Sequence, residues 1–202
     1  MWQVVFWTFL GFLFGSIPFS VLAGRFFVKT DIRRYGDGNP GGTNAWKAGG
    51  WRVGLLAIVL DIAKGYFPVM LAKNNGISEW MLLPVSLAPV LGHMFSPWLK
   101  FRGGKALGAT GGVWLALIGV KSFIIYALLT LPVLAIQCEH AVAANAGFIS
   151  LLVYLYFIER SPLLVSIMLL NSLLVAWKHR QELSRPIQLR PWMMGILGRR
   201  HA

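Results

Sequence analysis

The chain has 202 residues, with 19 Lys and Arg against 7 Asp and Glu and a formal net charge of +12. Hydrophobic residues make up 56% and charged residues 13%, about half the share of an ordinary soluble domain, which excludes a disordered basic tail and argues against a water-soluble nucleic-acid binder. A single cysteine, Cys138, excludes an internal disulfide framework and a cysteine-based metal site, and what remains is an all-α integral membrane protein.

A helix needs about 20 apolar residues to cross a bilayer, and apolar runs place seven candidate spans. The first is Met1 to Gly24. No basic region precedes it, and it is too long for the apolar stretch of a cleaved signal, so it is expected to remain as a span. The longest loop follows, residues 25–53, centred on Gly36-Asp37-Gly38-Asn39-Pro40-Gly41-Gly42-Thr43-Asn44. Glycine and proline at this density end a helix, turn the backbone sharply and can aim successive N–H groups at one point, a nest suited to phosphate oxygens. Arg33, Arg34 and Lys47 on the flanks favour an anion site; a solvated, turn-rich connector is the other reading.

The second span, Gly54 to Ala72, carries Asp61 and Lys64 at i and i+3. That spacing predicts a shared helix face and a mutual ion pair turned into the bundle, with Pro68 bending the helix a turn later. The third span, Trp80 to Leu99, holds His93 near its end. It leads into a loop, residues 100–105, containing Phe101-Arg102-Gly103-Gly104-Lys105. Gly-Gly before Lys sets backbone donors beside a cation, as phosphate loops do, although Leu99 and Ala106 stand where a Walker pattern needs Gly and Ser or Thr. The alternative makes Arg102 and Lys105 membrane-surface anchors.

The fourth run, Ala106 to Val120, is short. Its length covers about 23 Å of a roughly 30 Å hydrocarbon core, which predicts a half-span or re-entrant segment. Ser122 to Cys138, Ala141 to Ile158 and Ser161 to Trp177 complete the seven, and a basic tail, residues 178–202, opens with Lys178-His179-Arg180-Gln181-Glu182.

Seven spans put fifteen cations on one side, Arg199 and Arg200 among them, and leave Lys73, Lys121 and Arg160 on the other. By the positive-inside rule the N-terminus is expected outside and the C-terminal tail in the cytoplasm. No repeat or linker divides the chain, which reads as one polytopic domain over residues 1–202. The histidines lack a His-x4-Asp acyltransferase box and a His-Glu-x-x-His zinc site, and no Gly-x-Ser-x-Gly elbow occurs. No metal or cofactor is expected, and Cys138 is expected to pack rather than react.

Taken in order, Gly15-Ser16-Ile17-Pro18-Phe19, Gly38-Asn39-Pro40-Gly41 with Thr43-Asn44, Leu60-Asp61 with Lys64-Gly65, Gly92-His93 with Phe101-Arg102-Gly103-Gly104-Lys105, and His179-Arg180 give the chain a family likeness. It resembles the bacterial acyl-phosphate:glycerol-3-phosphate acyltransferases, seven-span enzymes of the inner membrane that make lysophosphatidic acid. The resemblance implies two small-molecule substrates, acyl phosphate and glycerol 3-phosphate, with the acyl chain among the helices and membrane lipid around them. It implies Lys105, His179 and Lys47 as catalytic residues. Asn39, Gly41, Thr43, Asn44, His93, Arg102, Gly103 and Gly104 would bind substrate. The chain departs from the family pattern at Asp37, where Ser is usual, at Lys47, where Arg is usual, and at Glu182, where Asn is usual. A carboxylate about 4 Å from a bound phosphate opposes it by about 4 kcal/mol at an effective dielectric near 20, so Asp37 is expected to turn toward Arg33 or Arg34, and Glu182 toward Arg180 or Arg185. The alternative is a non-catalytic or altered-acceptor paralogue that binds phospholipid or acyl phosphate.

Overall fold

The computed structural model describes residues 1–198; Arg199 and Arg200 of the cation count lie outside the described residues. Regular structure among the described residues is helical, with one isolated antiparallel bridge between Gln137 and Leu189. Among the described residues, four segments are long and apolar enough to cross a membrane: Trp2–Val28, Gly42–Asn74, Glu79–Leu99 and His140–Glu159. Leu107–Ile118, Lys121–Ile136 and Pro162–Lys178 are shorter apolar helices. Phe6, Phe9, Leu55, Val59, Leu128 and Leu173 lie exposed along these helices, a surface suited to lipid rather than water. The chain falls into two compact units, Met1–Val120 and Lys121–Ala202.

In the first unit, α1 (Trp2–Ser16) stops at Ile17, because Pro18 has no N–H and forces the residue before it into an extended conformation. The carbonyls freed by the break find side-chain donors: Ser96 Oγ donates to Ser16 O at 2.6 Å and Lys64 Nζ to Ile17 O at 2.9 Å. Helix α2 (Phe19–Ala23) then runs on as a π-turn to Val28, four residues past the expected end of the span.

Helix α3 (Gly42–Asn74) begins well inside what the sequence presents as loop. It is two helical pieces joined at Gly50, whose φ of 73° and ψ of −173° leave the helical region; the expected bend at Pro68 does not interrupt the helical dihedrals. A straight helix would separate Gly42 from Ile58 by about 24 Å. Instead a Cβ placed on Gly42 would run into Ile58, and one on Gly54 would run into Trp46. The piece before Gly50 therefore doubles back along the start of the span and carries the preceding glycine loop with it. Ile32, Ala45, Ala57, Val21 and Leu99 form the buried cluster beneath that loop.

Helix α4 (Leu82–Met94) packs on α1, and α5 (Leu107–Ile118) packs on α3. Both crossings are close backbone approaches: Gly92 faces the Phe12 carbonyl, and Gly112 faces that of Ile62, with no room for a side chain. With 12 residues, α5 is shorter than a bilayer core, as its sequence predicts.

In the second unit, α6 (Lys121–Ile136) pairs with α7 (His140–Tyr154), where Tyr126 and Phe148 rings meet at 5.3 Å. Helix α7 ends in a π-turn to Glu159, whose carboxylate pairs with Lys121 and accepts from Tyr154 Oη. Helix α8 (Pro162–Lys178) is capped by Ser161 and followed by α9 (Arg180–Leu183) and α10 (Pro191–Gly198). The tail is tied to the end of α6: Arg190 Nε donates to Leu134 O at 2.7 Å, and Trp192 Nε1 to Ala135 O at 2.8 Å. Cys138, expected to pack, is exposed, because this strand-like crossing holds its backbone against Gln188 in the turn beyond α6.

Candidate active site

Doubling back at Gly50 brings the glycine loop to the end of α4, so that segments 36–47, 93–94 and 103–105 share one neighbourhood in the first unit. Gly36 and Gly38 take φ of 58° and 75°, which an L side chain resists. Between them Asp37 turns toward Asn44 and Lys105. Its Oδ1 accepts from Asn39 N at 3.1 Å and Asn44 Nδ2 at 2.8 Å, and its Oδ2 lies 2.7 Å from Lys105 Nζ. Asn44 Nδ2 also donates to Asn39 O at 2.9 Å, closing the loop over the first turn of α3.

Asp37 thus takes Lys105 as its partner, not Arg33 or Arg34. Arg33 is already held: its guanidinium grips Asp31 at 2.6 Å, and Arg25 approaches the same carboxylate at 3.5 Å. The Arg33 hydrogen bond holds the Asp31 carboxyl well below the usual carboxylate range, and Asp31 in turn raises Arg33. For Asp37, burial pushes the carboxyl up. The hydrogen bonds from Lys105, Asn39 and Asn44 and the Lys105 charge outweigh it and leave the group at about 2.

Lys47 belongs to the same cluster. A Cβ on Gly36 would stand 2.9 Å from Lys47 Nζ and overlap Asn44 Oδ1, so the lysine amine reaches the turn from the first piece of α3. On the other side, a Cβ on Gly104 would overlap His93 Nε2 and stand 3.3 Å from Asn39 Oδ1. His93, Asn39, Gly104, Asp37, Lys105, Asn44 and Lys47 are therefore contiguous.

The Gly103-Gly104 pair differs from its expected role. Gly103 N donates to Met94 O at 3.2 Å and Gly104 N to His93 O at 3.1 Å, so these donors satisfy the last carbonyls of α4. What the two glycines supply is closeness, because a Cβ on Gly103 would collide with the His93 carbonyl. In the first loop, likewise, Gly38 N is donated to Tyr35 O and Gly41 N to Asn39 O. Gly41 is the N-cap of α3, Thr43 is exposed on the first turn, and Arg102 is exposed at the start of the second loop.

Behind His93 lies a polar cluster that sequence spacing only half reveals. Lys64 Nζ and Asp61 Oδ1 pair at 2.8 Å with both side chains buried, as their i,i+3 placement predicts. Ser20 Oγ donates to Asp61 Oδ2 at 2.7 Å, and His93 Nδ1 stands 3.9 Å from Asp61 Oδ1. Ser20 and His93 come from separate segments, and no pattern in the chain links them to Asp61.

His179 belongs to the second unit. It is buried at the end of α8, where Nδ1 lies 3.0 Å from Val175 O; a carbonyl only accepts, so Nδ1 carries the proton. Arg180 donates to Trp177 O at 2.9 Å and lies over that residue's ring at 4.9 Å. Glu182 follows on α9, its carbonyl accepting from Arg185 N at 3.1 Å. Among the described residues no three His, Cys, Asp or Glu side chains gather as metal ligands would.

The glycerol-3-phosphate acyltransferase family model matches residues 5–189. A glycerol-3-phosphate acyltransferase of Thermus thermophilus is 36% identical over 180 residues, covering 89% of both chains. That of Geobacillus kaustophilus is 36% identical over 177 residues, covering 87% of this chain and 88% of the other. Among solved structures, PlsY (YgiH), an integral membrane glycerol 3-phosphate acyltransferase, superposes in its glycerol 3-phosphate form with a TM-score of 0.77 at 30% identity. Its lysophosphatidic acid form gives 0.78 at 28% identity, and each comparison covers 90% of both chains.

Proposed function

Because this chain belongs to the glycerol-3-phosphate acyltransferase family, we propose that it transfers a fatty acyl group from acyl phosphate to the 1-hydroxyl of glycerol 3-phosphate, releasing lysophosphatidic acid and inorganic phosphate. The chain is a membrane acyltransferase of that family.

The observation that carries this reading is the meeting of two ammonium groups, Lys105 and Lys47, with the amide side chains of Asn39 and Asn44 at one turn beside the end of α4. Both substrates carry phosphate, and paired cations hold phosphate and offset charge that builds as it leaves. The hydroxyl oxygen forms the new ester bond to the acyl carbon. The bond from that carbon to the phosphoryl oxygen breaks, and the hydroxyl proton departs to phosphate or solvent. No acyl-enzyme is needed, so the protein contributes orientation and charge.

Lys105 and Lys47 take the catalytic roles in this scheme, and His179 is carried with them on the His-Arg motif alone. Asn39, Asn44 and Thr43 bind from the first loop. Arg102 adds charge at the second, while Gly41, Gly103, Gly104 and His93 shape the surface. Seven crossings of the bacterial inner membrane, with the N-terminus outside and both glycine loops in the cytoplasm, complete the proposal; the fifteen-to-three division of cations supports it.

The test incubates the purified protein in detergent with acyl phosphate and labelled glycerol 3-phosphate. Labelled lysophosphatidic acid is expected, and its absence withdraws the proposed reaction.

A further inference from the structure

The donor set around Asp37 is one a substrate phosphate would also use: an ammonium from Lys105, the backbone N–H of Asn39 and the side-chain amide of Asn44. In this chain those donors already hold a negatively charged oxygen pair. The carboxylate is part of the loop that carries Asn39 and Asn44, so its effective concentration at Lys105 is set by the fold. It is also fully ionised at neutral pH.

We propose that Asp37 is a specificity-determining residue: its carboxylate sits on Lys105 as a tethered anion that an incoming phosphate has to displace. This inference rests on the acyl-transfer reading for the identity of the phosphates, glycerol 3-phosphate or acyl phosphate, while the competition itself is a property of the loop. Displacement favours ligands whose charge and contacts outweigh a carboxylate and works against weakly held ones. The Lys105 side chain is mostly shielded and that of Asp37 is 44% exposed, so the pair is partly screened by water.

Asp37 has a structural contribution as well, since its Oδ1 accepts from Asn39 N and fixes the turn. Asp37→Asn separates the two roles. The amide oxygen keeps that hydrogen bond, and the negative charge on Lys105 is removed.

The experiment compares full-length wild type and Asp37→Asn in detergent, measuring KM and kcat for each substrate in turn, with direct binding of glycerol 3-phosphate and of inorganic phosphate by equilibrium dialysis. A partly screened pair is worth up to about 1 kcal/mol, so KM for the phosphate that occupies Lys105 is expected to fall about fivefold, with kcat changed less than KM and inorganic phosphate bound more tightly. The substrate whose KM falls is the one seated there. KM unchanged or raised for both substrates, with no tighter phosphate binding, overturns the inference while product formation by the wild type leaves the acyl-transfer reading intact. If neither protein makes product, the acyl-transfer reading falls; tighter binding in Asp37→Asn then upholds the tethered anion, and unchanged binding overturns it. Asp37→Ser provides a second variant with the same expectation. Loss of folding in both would assign Asp37 to holding the loop and overturn the proposal.

Discussion

Lys64 Nζ and the Ile17 carbonyl, 47 positions apart, are joined by a 2.9 Å hydrogen bond. The proline-induced break between α1 and α2 leaves that carbonyl without its helical partner; it accepts from Phe19 N at 3.0 Å and from the Lys64 ammonium, which is also paired with Asp61 at 2.8 Å. One side chain thus ties the broken helix to α3 and neutralises a buried carboxylate. Lys64→Met removes both functions and is expected to destabilise the protein by about 3–5 kcal/mol, read as a lowered midpoint of thermal unfolding in detergent. The double variant Asp61→Asn, Lys64→Met should recover part of the loss because no buried charge then stands alone. A single variant as stable as the parent would contradict the assigned role.

Lys105→Ala deletes the cation at the centre of the candidate site. Turnover of labelled glycerol 3-phosphate is expected to fall at least about a hundredfold, the scale for losing one charge-stabilising donor. Unchanged turnover would remove Lys105 from the catalytic residues.

Gly104→Ala puts a methyl group where His93 Nε2 stands and close to Asn39 Oδ1. Displacing these side chains by about 1 Å is expected to cost about a hundredfold in activity. The displacement should be visible in a crystal structure of the variant. A fully active Gly104→Ala would show that His93 and Asn39 need not hold these positions.

Gly50 adopts a φ,ψ pair open essentially to glycine alone, with no atom within 4 Å of where its Cβ would lie. Gly50→Ala therefore tests backbone conformation without a steric clash. Strain of about 1–3 kcal/mol is expected, read as a lowered unfolding midpoint, together with loss of transfer activity as the glycine loop moves away from α4. Retained activity with unchanged stability would mean that the doubled-back segment tolerates another geometry.

The Asp37 carboxyl, held at about 2 against an ordinary value of 3.8, gives the fold a pH signature. Its depressed value contributes stability fully present above about 3.8 and lost as the pH falls through about 2. The difference in unfolding midpoint between wild type and Asp37→Asn is therefore expected to stay flat from pH 5 to 8 and to change only below about 4. A change between pH 6 and 8 would point to a different titrating group.

Much of the helical framework is legible in the chain because apolar runs report on a bilayer directly, and the Asp61–Lys64 pair is legible because it is local to one helix face. The hairpin at Gly50 is not. A Gly-Gly step between a glycine loop and an apolar run reads as more loop, and only the packing of Gly42 on Ile58 and Trp46 on Gly54 makes residues 42–49 a helix that turns back. The partner of Asp37 is hidden for another reason: Lys105 is 68 positions away, while Arg33 and Arg34 are near in sequence. Arg33 was captured by Asp31, two residues from it, a competition that residue types alone do not rank. The Gly103-Gly104 pair shows how a familiar composition can mislead, since the same dipeptide serves either to present peptide donors or to let two backbones touch.

The peptide hydrogens of Gly103 and Gly104 already close the end of α4, so they provide no rigid directional cradle for an anion. In the proposed site, selection among phosphate ligands would then fall to ammonium charge and amide side chains, which weigh valence more heavily than outline. Such attraction fades over about 8 Å in physiological salt, so the proposed binding should weaken as the ionic strength of the surrounding medium rises.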